Sequence, residues 1–140
     1  MRANRLVRTG LVVVGLLAST AWGAAPKLLW QQMLPGSGYA DKPTVADLNG
    51  DGRLEVVACT DQGTVVALGG GNGALLWKYT KEGESYLSCP IIGDVDSDGT
   101  VEILLTGFRH GYVTCLNGED GTPQWETEPE GTSLTGTAAL

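Results

Sequence analysis

The chain contains one pattern twice. Pro43-Thr-Val-Ala-Asp-Leu-Asn-Gly-Asp-Gly-Arg-Leu-Glu-Val-Val57 aligns with Pro90-Ile-Ile-Gly-Asp-Val-Asp-Ser-Asp-Gly-Thr-Val-Glu-Ile-Leu104 at a constant offset of 47. Gly63-Thr-Val-Val-Ala-Leu68 then matches Gly111-Tyr-Val-Thr-Cys-Leu116 at an offset of 48, as do Gly73 with Gly121 and Trp77 with Trp125. Upstream, Leu28-Leu29-Trp30 matches Leu75-Leu76-Trp77, and Gly36 and Tyr39 match Gly83 and Tyr86. A fixed period of this length marks units that cannot bury their apolar faces alone and must stack on one another.

Each copy reads as four short strands. In the first copy they fall at 43–47 (A), 54–60 (B), 64–69 (C) and 74–80 (D), with turn signals at Asp61-Gln-Gly63 and Gly70-Gly-Gly-Asn-Gly73. The mature chain shows no helical periodicity. Four strands in this span, with a regularly placed Trp, are the sequence form of a β-propeller blade. The expected fold is therefore all-β, with antiparallel four-stranded blades. Copies span about 43–89 and 90–137, and an extra outer strand lies at 27–33. That extra strand either completes the last blade of a ring or pads the edge of the first blade. Ala138-Ala-Leu140 falls where a third copy would begin, after Gly131 and Leu134, so we expect a fragment of a longer propeller.

Residues 1–23 read as a secretory signal peptide rather than as fold. Arg2, Arg5 and Arg8 precede an apolar run, Leu11 to Ala18, that is short for a membrane span. Ala21 and Gly23 are suitably small for a cleavage site, after Gly23 or after Ala21. The expected location is periplasmic, secreted or cell-surface, with no membrane span after cleavage. Loss of the three arginines takes the formal charge from −7 to −10, which disfavours nucleic acid and anionic membranes as partners. In an oxidising compartment Cys59, Cys89 and Cys115 allow at most one internal bridge. Their spacing matches no zinc pattern and does not choose a pair; they also read as small buried apolar residues.

Seven of the acids crowd into two nine-residue loops between strands A and B. The first presents Asp47, Asn49, Asp51, Arg53 and Glu55, and the second Asp94, Asp96, Asp98, Thr100 and Glu102. Oxygen side chains stand at positions 1, 3 and 5 of each loop, a glycine at 6, a backbone carbonyl at 7 and a carboxylate at 9. Calcium takes six to eight hard oxygen ligands in flexible geometry, and this spacing wraps such ligands around one centre. Magnesium demands a tighter octahedron, and zinc favours His or Cys, which the loops lack. The competing reading is an Asx-rich hairpin turn without metal. The loops are not EF-hands, because position 12 is Ala58 or Leu105 and strands flank them. We expect about two calcium ions with a structural role. At extracellular affinities of about 10⁻⁴–10⁻³ M and millimolar calcium, each would contribute roughly 0.4–1.4 kcal/mol.

The segments Pro43–Val57 and Pro90–Leu104 resemble the FG-GAP or VCBS-type repeats of integrin-α-like propellers. The resemblance implies calcium at the same ten positions. The Phe-Gly and Gly-Ala-Pro elements that name that family are absent, and position 9 is Glu where Asp is commoner. The C and D strands, Gly63-x-Val-x-Ala-Leu with Gly73-x-Leu-Leu-Trp77 and their counterparts ending at Trp125, resemble the quinoprotein-type (PQQ-like) propeller repeat. There the Trp packs between neighbouring blades.

These features lead to an expected scaffold for protein or carbohydrate binding or adhesion. Tyr39 and Tyr86 would suit such contact if exposed; the alternative is that they pack between blades. The rival is the N-terminal part of a propeller enzyme, a quinone-dependent dehydrogenase or a calcium-assisted polysaccharide lyase. No catalytic set is visible in the sequence, and the lone His110 reads as a turn residue.

Overall fold

The computed structural model describes residues 11–17, 25, 27–34, 36 and 42–127. The arginines of the leader, its cleavage region, Tyr39 and the segment from 128 onward lie outside the described residues.

Ten strands are described, in three antiparallel sheets. β1 (Leu11–Leu17) pairs with β2 (Lys27–Leu34). β3 (Thr44–Ala46), β4 (Glu55–Cys59), β5 (Thr64–Gly69) and β6 (Leu75–Thr80) follow one another as a four-stranded meander. β7 (Ile91–Gly93), β8 (Glu102–Thr106), β9 (Val113–Asn117) and β10 (Pro123–Thr127) repeat it. The expected A, B, C and D strands are all present, each within a residue or two of its predicted ends. No helix among the described residues is long and apolar enough to cross a membrane.

The two meanders stack face to face as neighbouring blades. Alternation along a strand gives each blade two apolar faces. Val57, Cys59, Val65, Ala67 and Trp77 form one face of the first blade and pack on Tyr86, Ile103, Leu105 and Leu116. The opposite face, Val56, Ala58, Val66 and Leu68, packs on Leu34 and Trp30 of β2. Strands buried on both sides explain why Glu55–Cys59 and Thr64–Leu68 are buried at every position rather than at alternate ones.

β2 therefore stands where the D strand of a preceding blade would stand, close to the expected span of 27–33. Among the described residues its sheet partner is β1. The valine-rich run Leu11–Leu17, read from sequence as part of the leader, lies along β2 in the uncleaved chain. β-branched residues suit an extended strand, and β2 has an edge to offer.

A tryptophan joins each blade to the next. The Trp30 indole Nε1 donates to the Gly70 carbonyl at 2.7 Å, and the Trp77 indole Nε1 donates to the Gly118 carbonyl at 2.9 Å. Each ring also covers a left-handed glycine of the C–D turn, Gly73 (φ 68°) and Gly121 (φ 72°) respectively. The third member of the series, Trp125, is 43% exposed.

Candidate metal centre

Strands A and B are short because their chain reverses through the acidic loop. In the first loop the Asp47 carboxylate accepts the amides of Gly50, Asp51 and Gly52 at 2.8–3.1 Å. Asn49 Oδ1 accepts the Asp51 amide, and Asp51 Oδ1 accepts the Arg53 amide. The second loop repeats this. Asp94 takes the amides of Asp98 and Gly99, Asp96 takes that of Asp98, and Asp98 takes that of Thr100. The tight path needs left-handed backbone at Gly50, Gly52 and Gly99. Ser97 takes the place of Gly50 and adopts φ 63° without being glycine.

The carboxylate at position 9 closes each loop. Glu55 Oε2 accepts the Leu48 amide at 3.0 Å, and Glu102 Oε2 accepts the Val95 amide at 2.9 Å. Both glutamates are buried, Glu102 completely, whereas Asp94 and Asp96 are exposed. Asp94, Asp96 and Glu102 bring carboxylate oxygens within 4.8 Å of one another. Three negative charges this close, one of them desolvated, repel strongly unless a cation is shared. Asp98 turns instead to Thr100, whose hydroxyl donates at 2.6 Å. The hydroxyl and amide of Thr100 hold the Asp98 carboxyl below the usual carboxylate range.

In the first loop the trio equivalent to Asp94, Asp96 and Glu102 is Asp47, Asn49 and Glu55, with an amide oxygen in the middle. Arg53 and Thr100, expected to offer carbonyls, stand at the exits of the loops with their amides tied to Asp51 and Asp98. The oxygen chemistry of both loops, and in the second loop the convergence of Asp94, Asp96 and Glu102, suits a hard cation. A cleft of about 140 Å³ separates the loops, between Asp47–Gly50 on one side and Gly99–Val101 with Glu119 on the other.

Sequence reading passed over Glu84. Its side chain is fully buried in the D–A connection. It accepts the Ser85 amide, the Arg109 amide at 2.7 Å and the His110 amide at 3.3 Å. His110 Nδ1 lies 3.3 Å from the same carboxylate. Burial works to raise the Glu84 pKa, but these hydrogen bonds outweigh it and hold the carboxyl below its ordinary value. Glu84 thus pins the first blade's exit to the B–C turn of the second. The preceding copy has Ser37 at this place, so repetition gave no signal. Tyr86, one of the two tyrosines considered for partner contact, is 1% exposed and packs between the blades. His110 does lie in a turn.

Sheets, loops and tryptophan contacts define consecutive blades of a β-propeller with an acidic loop between strands A and B. Residues 47–105 match the family model of the FG-GAP-like repeat, from the first aspartate of one loop into strand B of the next blade. Comparison with curated proteins gives no match. Among solved structures the chain is similar to a europium-containing methanol dehydrogenase, with 20% identity and a TM-score of 0.54. That likeness covers 76% of this chain and 20% of the dehydrogenase. It is also similar to BamB from Moraxella catarrhalis, with 19% identity and a TM-score of 0.52, over 72% of this chain and 27% of that one. The chain thus spans about a fifth to a quarter of these proteins' length, and the likeness is one of fold. An FG-GAP-like repeat and a propeller fold are thus found together in this chain.

Proposed function

We propose that this chain is an exported propeller scaffold whose A–B loops bind calcium as structural staples. The observation that carries this reading is the buried position-9 carboxylate, present in register as Glu55 and Glu102, which in the second loop converges with Asp94 and Asp96. A buried carboxylate beside other acids carries a desolvation and repulsion cost that its one backbone amide only partly offsets, and a hard cation ringed by oxygens lowers that cost. The ligand sets are Asp47, Asn49, Asp51, the Arg53 carbonyl and Glu55, and Asp94, Asp96, Asp98, the Thr100 carbonyl and Glu102. Bound calcium would hold the A–B reversals and stiffen the rim that carries them. Titration calorimetry of the metal-stripped protein tests this. About two calcium ions should bind, with a higher melting temperature in calcium than in chelator. No heat and no shift would remove the staple.

The scaffold would present its rims to a protein or carbohydrate partner, and residues 1–23 would be removed on export. Support comes from the charged n-region, the short apolar run and the small residues before position 24. Cleavage would take away β1 and leave the edge of β2 open to a strand from another blade. The intact mass of the protein recovered from the envelope or medium reads this directly; an uncleaved mass would overturn it.

A further inference from the structure

The first two cysteines converge on one threonine. Thr44 stands directly opposite Val57 in the β3–β4 pair, so their side chains share a face. Cys59, two residues beyond Val57, lies on that same face and diagonal to Thr44, at about 7 Å between Cβ atoms for such neighbours. From the other side, Cys89 Sγ lies 3.0 Å from Thr44 Oγ1, which also donates to the Pro90 carbonyl at 2.8 Å. Both cysteines thus neighbour Thr44 at the seam between the blades, Cys89 by contact and Cys59 by strand register. Cys115 is elsewhere, on the outer face of the second blade opposite Trp125. Burial, followed by the nearby Cys89, pushes the Cys59 thiol up.

We propose that Cys59 and Cys89 form a disulfide that crosslinks strand B of the first blade to the entry of the second, leaving Cys115 free. Cys89 is partly exposed and Cys59 is buried, which sets the order of events. With a small disulfide such as oxidised glutathione as oxidant, the Cys89 thiolate attacks first and releases one glutathione thiolate. The Cys59 thiolate then displaces the second glutathione from Cys89 and closes the bridge. Two protein thiols are oxidised, one small disulfide is reduced to two thiols, and the two cysteine protons pass through solvent to the two released glutathione thiolates. Because the Cys59 thiol is hard to ionise, closure accelerates as pH rises. Cys89 gives up its contact with Thr44, which keeps the Pro90 carbonyl as its acceptor.

The test is thiol counting and peptide mapping of the full chain, equilibrated in a glutathione redox buffer and alkylated after denaturation. We expect loss of two of the three alkylatable thiols and a linked peptide joining Cys59 to Cys89. Cys115→Ser should then leave no alkylatable thiol, and Cys89→Ser should leave two. The same exchange in denaturing urea, where the fold sets no preference, should yield all three pairings. A bridge to Cys115, a mixed glutathione disulfide at Cys89 without closure, or three free thiols would each overturn the proposal.

Discussion

The ring of Trp77 occupies the space that a side chain on Gly121 would need. A Cβ built on Gly121 falls 2.5 Å from Trp77 Cε3, and the backbone there is left-handed at φ 72°. Gly121→Ala should therefore displace the indole and strain the turn, destabilising the chain by about 2–3 kcal/mol or more. Gly71, in the equivalent turn of the first blade, has open space around it and ordinary backbone. Gly71→Ala should be near neutral. Urea unfolding of the two variants side by side distinguishes them.

The same seam ranks the tryptophans. Trp77→Ala should lose about 3–5 kcal/mol, as large core truncations do. Trp125→Ala should lose less than about 1 kcal/mol in this chain, because the residue is 43% exposed. Acrylamide should quench Trp125 emission in single-tryptophan variants and spare Trp77.

Glu102→Gln should change sign with calcium. Removing one charge from the Asp94–Asp96–Glu102 cluster relieves repulsion, so the variant should melt higher than the parent in chelator. In millimolar calcium it should melt lower, because the ion loses a ligand, with affinity falling at least about tenfold. Paired melting curves in calcium and in chelator read both arms.

Ser97→Gly tests the loop backbone. A side chain in left-handed conformation costs about 1–2 kcal/mol, and glycine repays part of that as unfolded-state entropy. A gain of up to about 1 kcal/mol is expected, visible as a higher urea midpoint with an unchanged slope.

Glu84 predicts a pH effect. Its folded pKa is held below the ordinary 4.5. The stability it contributes is thus present above that value and is lost as pH falls through the folded pKa. Between about pH 5 and pH 3 the parent should lose stability more steeply than Glu84→Gln. Taking the difference between the two proteins removes the contribution of the loop acids. Parallel curves would show that the buried carboxylate is not held by its amide donors.

Much of the fold was legible in the chain because the determinants are local. Alternating apolar residues set strands, Asx-Gly steps set reversals, and the spacing of Asp47 to Glu55 and Asp94 to Glu102 set two oxygen-rich loops. Those rules act within a few residues, and the repeat shows them twice. Which side chains are buried could not be read that way. Tyr86 offered a polar tip and an apolar ring in equal measure, and only stacking of the second blade put it inside. Glu84 looked like a surface charge until the 107–110 turn brought its amides to it. The cysteines gave no pair until the β3–β4 register and the entry to the second blade placed Cys59 and Cys89 beside Thr44. Sequence by itself determined the blade and its loop, because each is built from neighbours in the chain. The seam between blades, with its tryptophans, buried carboxylate and thiols, was decided only by tertiary structure, because its partners lie some 25–45 residues apart and meet only when the blades stack.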